Sequence, residues 1–275
     1  MGGIRPRRRV RRRPLLIAQS RSLKGIRNSR GIAPLTVRAR FLQLTGCARK
    51  WTTSTMDIQK ADDLFAPGYL PFESGYADLG DGRKVVAALT RMPGCRAKMV
   101  DWWFSWLGGT DQYKWWHPTD HVFSDWENRI NGKYIGGAHL VHEYLAGKSG
   151  PLYRLRISFH DPAELFDGGK YRASGAVAIC ARIGDLDHPI DFARMTHFVR
   201  NTDYGCEMRS RFWLGEIKSR DPGVVITEER ARELRQANVN DELARRLHQH
   251  ASEEMGYLAE ILPTLYKRVT LDTAF

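Results

Sequence analysis

The sequence has few cysteines, and it lacks long apolar runs and the common phosphate-binding and serine-hydrolase motifs. Its four cysteines lie far apart without C-x-x-C spacing, which excludes a disulfide scaffold or a cysteine-rich zinc module and favours a reducing compartment. No apolar run approaches about 18 residues, so no transmembrane helix is predicted. No P-loop, G-x-G-x-x-G or G-x-S-x-G motif is present, which argues against the chemistries that those motifs serve.

Acidic residues are absent from the first 56 positions, and this absence accounts for the formal net charge of +12. The segment carries 15 of the 43 Lys and Arg residues, so the other 219 residues have 28 basic and 31 acidic side chains. Because the body is slightly acidic, we do not expect it to bind nucleic acid. Three interpretations of the basic leader stay open: a transit peptide, an arm that binds nucleic acid or anionic lipid, and a mis-called start with Met56 as the first residue.

We therefore predict a basic, disordered leader at residues 1–56 and a single folded domain at residues 57–275. Hydrophobic residues make up 42 % of the chain, which is enough for a sizeable core. The expected location is the cytoplasm, or mitochondria if the leader is a transit peptide. Neither nucleic acid nor a membrane is an expected partner, and a homodimer is left open.

The pattern of the body predicts an α+β fold. Residues 57–82 are rich in glycine, proline and acid and predict an irregular lead-in, and residues 94–107 predict a short apolar helix. Strands are predicted at residues 133–145, 152–159, 173–183, 190–200 and 206–217. Thr227 is a predicted helix cap, and residues 241–262 have helical periodicity. Leading helices, a curved antiparallel sheet and a long closing helix form a helix-grip arrangement, whose helix crosses the concave side of the sheet and can enclose a pocket.

Two polar residues interrupt the apolar face of the closing helix. His250 and Glu254 are one turn apart, on the face that also carries Leu243, Leu247, Tyr257 and Ile261. A carboxylate buried there costs several kcal/mol, of the order of an ionic desolvation penalty, unless a partner neutralises it. A divalent metal is one such partner, and a hydrogen-bonded His–Glu pair without metal is the alternative.

Further donors lie in two segments before the helix. The run Tyr113–His121 contains two histidines, and in the strand after it His139, Val141 and Glu143 face one side. One histidine of the first run, Glu143 and the helix pair would form a two-His, two-Glu set, which suits a catalytic zinc. His117 and His121 both remain candidates for the first ligand. His139 and His142 are interpreted as solvent-facing strand residues rather than ligands.

These motifs together resemble the zinc-dependent 2,4-diacetylphloroglucinol hydrolase and phloretin hydrolase family. The similar stretches are Tyr113–His121, His142–Tyr144, Ile157–Phe166 and the helix with His250 and Glu254. The resemblance implies a Bet v 1-like helix-grip fold and hydrolysis of the C–C bond between an acyl group and a phloroglucinol ring. It also implies that zinc is held by His121, Glu143, His250 and Glu254, and that Tyr113 binds substrate.

The mechanism that we predict is a retro-Claisen cleavage, in which the ring leaves as an enolate and acetate is released from 2,4-diacetylphloroglucinol or a similar polyketide. Glu143 is a candidate base, Tyr113 a donor to the substrate, and His197 a further donor in the pocket. Two other functions remain open: a non-catalytic helix-grip carrier of an apolar or aromatic ligand, and an Fe(II) oxygenase that uses the same type of donor set.

Overall fold

The computed structural model describes residues 56–130 and 132–272, the last two by their backbone alone, so the leader up to residue 55 and Cys47 lie outside the described residues. The strands are β1 (Gly75–Gly80), β2 (Arg83–Pro93), β3 (His121–Glu127), β4 (Ala138–Glu143), β5 (Tyr153–His160), β6 (Val177–Asp185), β7 (Ile190–Thr202) and β8 (Gly205–Ser219). The helices are α1 (Ala97–Trp106), α2 (Thr110–Trp116), α3 (Gly168–Ser174), α4 (Glu228–Asn238) and α5 (Asp241–Asp272), with 3₁₀ helices at Ile58–Phe65 and Pro162–Glu164. Within the described ranges, no helix has both the length and the apolar content of a membrane span.

The eight strands form one antiparallel sheet in the order β1-β2-β8-β7-β6-β5-β4-β3. Strands β3 to β8 follow one another as a meander, whereas β2 pairs with β8. Helices α1 and α2 therefore carry the chain from β2 to β3 at the far edge of the sheet. With α5 packed against β2 and α1, this order confirms the predicted α+β helix-grip fold.

The prediction of an irregular lead-in over residues 57–82 is wrong at its C-terminal end. Residues Gly75–Gly80 form the edge strand β1, which pairs with β2 from Gly75 opposite Ala87 to Gly80 opposite Arg83. The strand has glycine at both ends and no β-branched residue, so its own propensity is low. It forms because its backbone pairs with β2. The strand pair β1–β2 thus precedes the helices, which we expected to come first.

The concave face of the sheet is covered by α1, α2 and α5. The residues that α5 contributes to this core are Ala244, Leu247, Ala251, Met255, Leu258 and Leu262. His250 and Glu254 are buried at the margin of this row, but Tyr257 is 39 % exposed. The predicted apolar face of the helix is thus correct around the polar pair and wrong at Tyr257.

The convex face is covered by the 3₁₀ helix Ile58–Phe65 and by α3. Arg209 projects to this side of β8 and donates to the carbonyl of Leu64 and to the carboxylate of Glu73. Arg211 donates to the same carboxylate. These buried, charge-assisted hydrogen bonds hold the lead-in against the sheet, and they leave the concave side for the candidate site.

Gly205 begins β8 at the point where the chain passes closest to β2. A Cβ atom at this position would collide with the backbone from Met92 to Gly94. We expect Gly205→Ala to lower the free energy of unfolding by about 1–3 kcal/mol, because neither backbone can move without breaking the β2–β8 ladder. Gly256→Ala is the control, since a Cβ on that helical glycine meets no atom within 4 Å. Equal unfolding midpoints for the two variants in denaturant would contradict this account.

Candidate metal centre

The sheet register and the closing helix bring the four predicted ligands together. His121 begins β3 and Glu143 ends β4, and the two residues lie directly opposite each other in the ladder. His250 and Glu254 reach them from α5. The Nε2 atom of His121 is 3.9 Å from Oε2 of Glu143 and 3.5 Å from Oε2 of Glu254. His250 Nε2 is 3.8 Å from the same Glu254 oxygen, and all four residues are buried.

The hydrogen bonds of His121 and His250 leave the same ring nitrogen free on both. His121 Nδ1 lies 2.8 Å from the backbone carbonyl of Tyr113, and His250 Nδ1 lies 3.1 Å from Oδ2 of Asp120. Because these oxygens can only accept, each Nδ1 carries a proton and each neutral ring has its lone pair on Nε2. Neither Nε2 has a hydrogen-bond partner among the described residues. Two buried lone pairs beside two carboxylates are a set of donors that fits a divalent cation.

The charges of the cluster are also compatible with a bound cation. Burial alone would lower the pKa of His250, but the hydrogen bond to Asp120 and the carboxylates of Glu254 and Glu143 outweigh it and raise that pKa to about 9. Burial raises the pKa of Glu254 to about 6, although His250 and His117 act in the opposite direction. Without metal, a proton on His250 offsets part of the buried negative charge, and a divalent ion would take its place.

Tyr113 lies against two members of the cluster. Its ring stacks on that of His121 with centroids 3.6 Å apart, and its hydroxyl donates to Oε2 of Glu143. Burial, followed by the nearby Glu143 carboxylate, raises the pKa of Tyr113 well above its usual value. The phenol therefore stays protonated and remains a donor.

The tautomer of His117 distinguishes it from His121. The backbone N–H of Asp120 donates to His117 Nδ1 at 3.2 Å, so the proton of a neutral His117 ring is on Nε2. That atom lies 3.4 Å from Oε2 of Glu253, whose side chain is 41 % exposed. The donor atoms of His117, Asp120 and His250 lie within 4.8 Å of one another, as do those of His121, Glu143 and His250. Only the second group has Nε2 lone pairs available on both of its histidines.

His197, the predicted pocket donor, lies apart from the four candidate ligands. It is buried on β7, and its Nδ1 lies 2.8 Å from Oγ of Ser210. Its ring packs against Phe104, which contacts Trp116, and Trp116 in turn contacts His121. Burial lowers the pKa of His197 to about 3, so its ring is neutral. The residue thus lines the aromatic interior rather than the cluster.

Asp120 is a part of the site that the sequence analysis did not single out. It accepts hydrogen bonds from His250 Nδ1 and from the backbone N–H of Gly147. Burial acts to raise its pKa, but these bonds and the two nearby imidazoles lower it to about 2. The Asp-His pair at positions 120 and 121 was the available signal, since a carboxylate next to a candidate ligand is a frequent partner of metal-binding histidines.

Comparison with known proteins gives consistent matches along the described chain. The family model "DAPG hydrolase PhiG domain" matches residues 56–267. A 2,4-diacetylphloroglucinol hydrolase of a Pseudomonas species is 30 % identical over 235 residues, covering 78 % of each chain. A phloretin hydrolase of Eubacterium ramulus is 29 % identical over 204 residues, covering 70 % of each chain. Among solved structures, ginseng major latex-like protein 151 from Panax ginseng matches 61 % of this chain and 97 % of its own, with 9 % identity and a TM-score of 0.33. The chain therefore belongs to the DAPG hydrolase family.

Proposed function

We propose that this hydrolase cleaves the C–C bond between an acyl group and a phloroglucinol-type ring, with zinc held by His121, Glu143, His250 and Glu254. The observation that carries this proposal is the pair of buried, unpartnered Nε2 atoms beside two buried carboxylates. The names of the relatives, which are hydrolases of 2,4-diacetylphloroglucinol and of phloretin, support the substrate class. Zinc bound at such a site polarises a carbonyl and lowers the pKa of water to about 7.

The reaction adds water to the acyl carbonyl carbon and breaks its bond to the ring. A ring with hydroxyls in the 1, 3 and 5 positions can ketonise, so the ring carbon leaves as an enolate rather than as an aryl carbanion. That carbon takes up a proton, and the acyl group departs as a carboxylic acid. The atoms therefore balance as acylphloroglucinol plus water giving phloroglucinol plus acid, and no oxidant is required.

Four side chains have the properties that this reaction needs. Glu143 and Glu254 are the candidate bases: a carboxylate oxygen that does not hold the metal can accept a proton from water and return it to the ring carbon. The Tyr113 hydroxyl keeps its proton, orients Glu143 and can donate to a substrate oxygen. His197 would donate to the ring from the aromatic interior.

Two alternatives make different demands on the same residues. A carrier of an apolar ligand would need no metal at the cluster, and an Fe(II) oxygenase would need O₂. The proposal also includes a cytoplasmic location, or a mitochondrial one if the leader is a transit peptide, and a possible homodimer. It further includes the absence of nucleic-acid and membrane partners and the division between residues 1–56 and 57–275.

Metal analysis of histidine variants tests the ligand set. We expect about one zinc per chain in the purified protein, and loss of it in His250→Ala and His121→Ala, since each removes one of four ligands. His117→Ala should retain zinc because its Nδ1 lone pair is used by the Asp120 amide. His248→Ala is the control on the same helix, at a side chain that bonds Ser74. Full zinc retention in His250→Ala, with the protein folded, would refute the assignment.

Asp120→Asn tests the support given to His250. The side-chain amide that replaces the carboxylate lacks the charge that holds the Nδ1 proton of His250. We therefore expect the zinc dissociation constant to rise about 10- to 100-fold in chelator competition. Asp125→Asn is the matched control, because Asp125 is an exposed carboxylate on β3, the strand that begins directly after Asp120. An unchanged dissociation constant in Asp120→Asn would mean that this carboxylate does not tune the ligand.

Tyr113→Phe tests the role of the phenol in turnover. We expect zinc content to be kept while kcat/KM for acetate release from 2,4-diacetylphloroglucinol falls about 10- to 100-fold, because a donor and the orientation of Glu143 are lost together. Tyr204→Phe should leave the rate unchanged, because the Tyr204 hydroxyl donates to Glu207 on the convex side.

Acetate release should also proceed equally without O₂; a requirement for O₂ would favour the oxygenase.

A further inference from the structure

His139 is a buried imidazole that the mechanism above does not use. It lies on β4 and points to the concave side together with Val141 and Glu143, whereas His142 lies on the opposite, more exposed side of the strand. Only 2 % of His139 is exposed, so its interpretation as a solvent-facing residue is wrong. The four residue-to-residue steps from His139 to Glu143 along the strand span about 13 Å, at roughly 3.3 Å each.

The contacts of His139 are aromatic. Its ring stacks on Trp126 from the neighbouring strand, with centroids 4.6 Å apart, and meets the ring of Tyr113 edge-on at 5.2 Å. Its Nε2 atom has no hydrogen-bond partner among the described residues. Burial, with smaller contributions from His121 and Arg129, lowers the pKa of His139 to about 3, so the ring is neutral.

An unpaired nitrogen in this position needs an explanation. A buried polar atom without a partner is unfavourable, and a phenylalanine would fill similar space without that cost. Tyr113, which lies between His139 and the cluster, contacts His139 with its ring and Glu143 with its hydroxyl. His139 is therefore one aromatic ring away from the candidate metal centre, on the concave side that a helix-grip fold uses for ligands.

We propose that His139 is a specificity-determining residue whose Nε2 hydrogen-bonds a hydroxyl of the polyhydroxylated aryl ring of the substrate. With the acyl group at the cluster, the ring would extend past Tyr113 into the aromatic interior, where Trp126 and His139 are stacked. A hydroxyl can donate or accept, so it satisfies Nε2 in either tautomer of the neutral imidazole. This inference rests on the proposed function, because it assumes an aryl substrate whose acyl group lies at the cluster.

The test compares two ring compounds that cannot undergo the reaction. Phloroglucinol has three ring hydroxyls and resorcinol has two, and dissociation constants for both are measured by calorimetry on the purified, metal-containing protein. The wild type should prefer phloroglucinol by about tenfold, the value of one buried hydrogen bond. His139→Phe keeps a stacking ring but has no nitrogen, so we expect the preference to fall close to unity, and His139→Gln should restore part of it.

His142→Phe is the matched control, on the other side of the same strand, and should keep the wild-type preference. An unchanged preference in folded, zinc-retaining His139→Phe would overturn the inference, as would a wild type that does not discriminate between the two compounds. Should His139→Phe fail to fold, ¹⁵N NMR of histidine-labelled wild type decides instead: phloroglucinol must shift the His139 Nε2 resonance, assigned with His139→Gln. Absence of zinc or of acetate release in the wild type would refute the proposed function. A wild type with normal zinc content and acetate release that does not prefer phloroglucinol to resorcinol would overturn only the role of His139.

Discussion

The candidate site depends on how buried negative charge is balanced at the end of the β3–β4 ladder. Glu143, Glu254 and Asp120 are all sealed from solvent by α5, and carboxylates in such a place are stable only beside protons or a cation. Three imidazoles surround them, and the hydrogen-bond partner of each Nδ1 atom decides which ring nitrogens are available. A carbonyl holds the proton of His121 on Nδ1, a carboxylate does the same for His250, and an amide reverses the arrangement at His117.

The sheet separates this chemistry from the structural charges of the protein. On the convex face, the buried side chains of Arg209 and Arg211 donate to the carboxylate of Glu73 and to backbone carbonyls. On the concave face, the Nε2 atoms of His121, His139 and His250 are buried and have no hydrogen-bond partner among the described residues. The convex network holds the lead-in against the sheet, and the concave atoms retain the capacity to bind. These unpartnered Nε2 atoms lie at the candidate metal centre and in the aromatic wall beside it.

The aromatic residues around the cluster connect the two halves of the proposed reaction. Tyr113 contacts His121, His139 and Glu143, so one phenol lies between the candidate metal ligands and the interior. Trp126 and Phe104 continue this wall toward His139 and His197. An aryl ketone bound here would have its carbonyl beside the charged candidate ligands and its ring against aromatic side chains. This arrangement suits the proposed cleavage of the acyl–aryl bond.

Local periodicity was enough to predict the α+β class, most strands of the meander, the closing helix and the placement of His250 and Glu254 one turn apart. The motifs also identified the family, and the resemblance implied Tyr113, His121 and Glu143 as candidate site residues. Local pattern could not reveal β1, whose weak propensity is overridden by pairing with β2, or the burial of His139, since a strand has the same alternation whichever side faces the core. The choice between His117 and His121 was likewise beyond the sequence. It depends on whether an amide or a carbonyl meets Nδ1, and only the tertiary structure decides which backbone group that is.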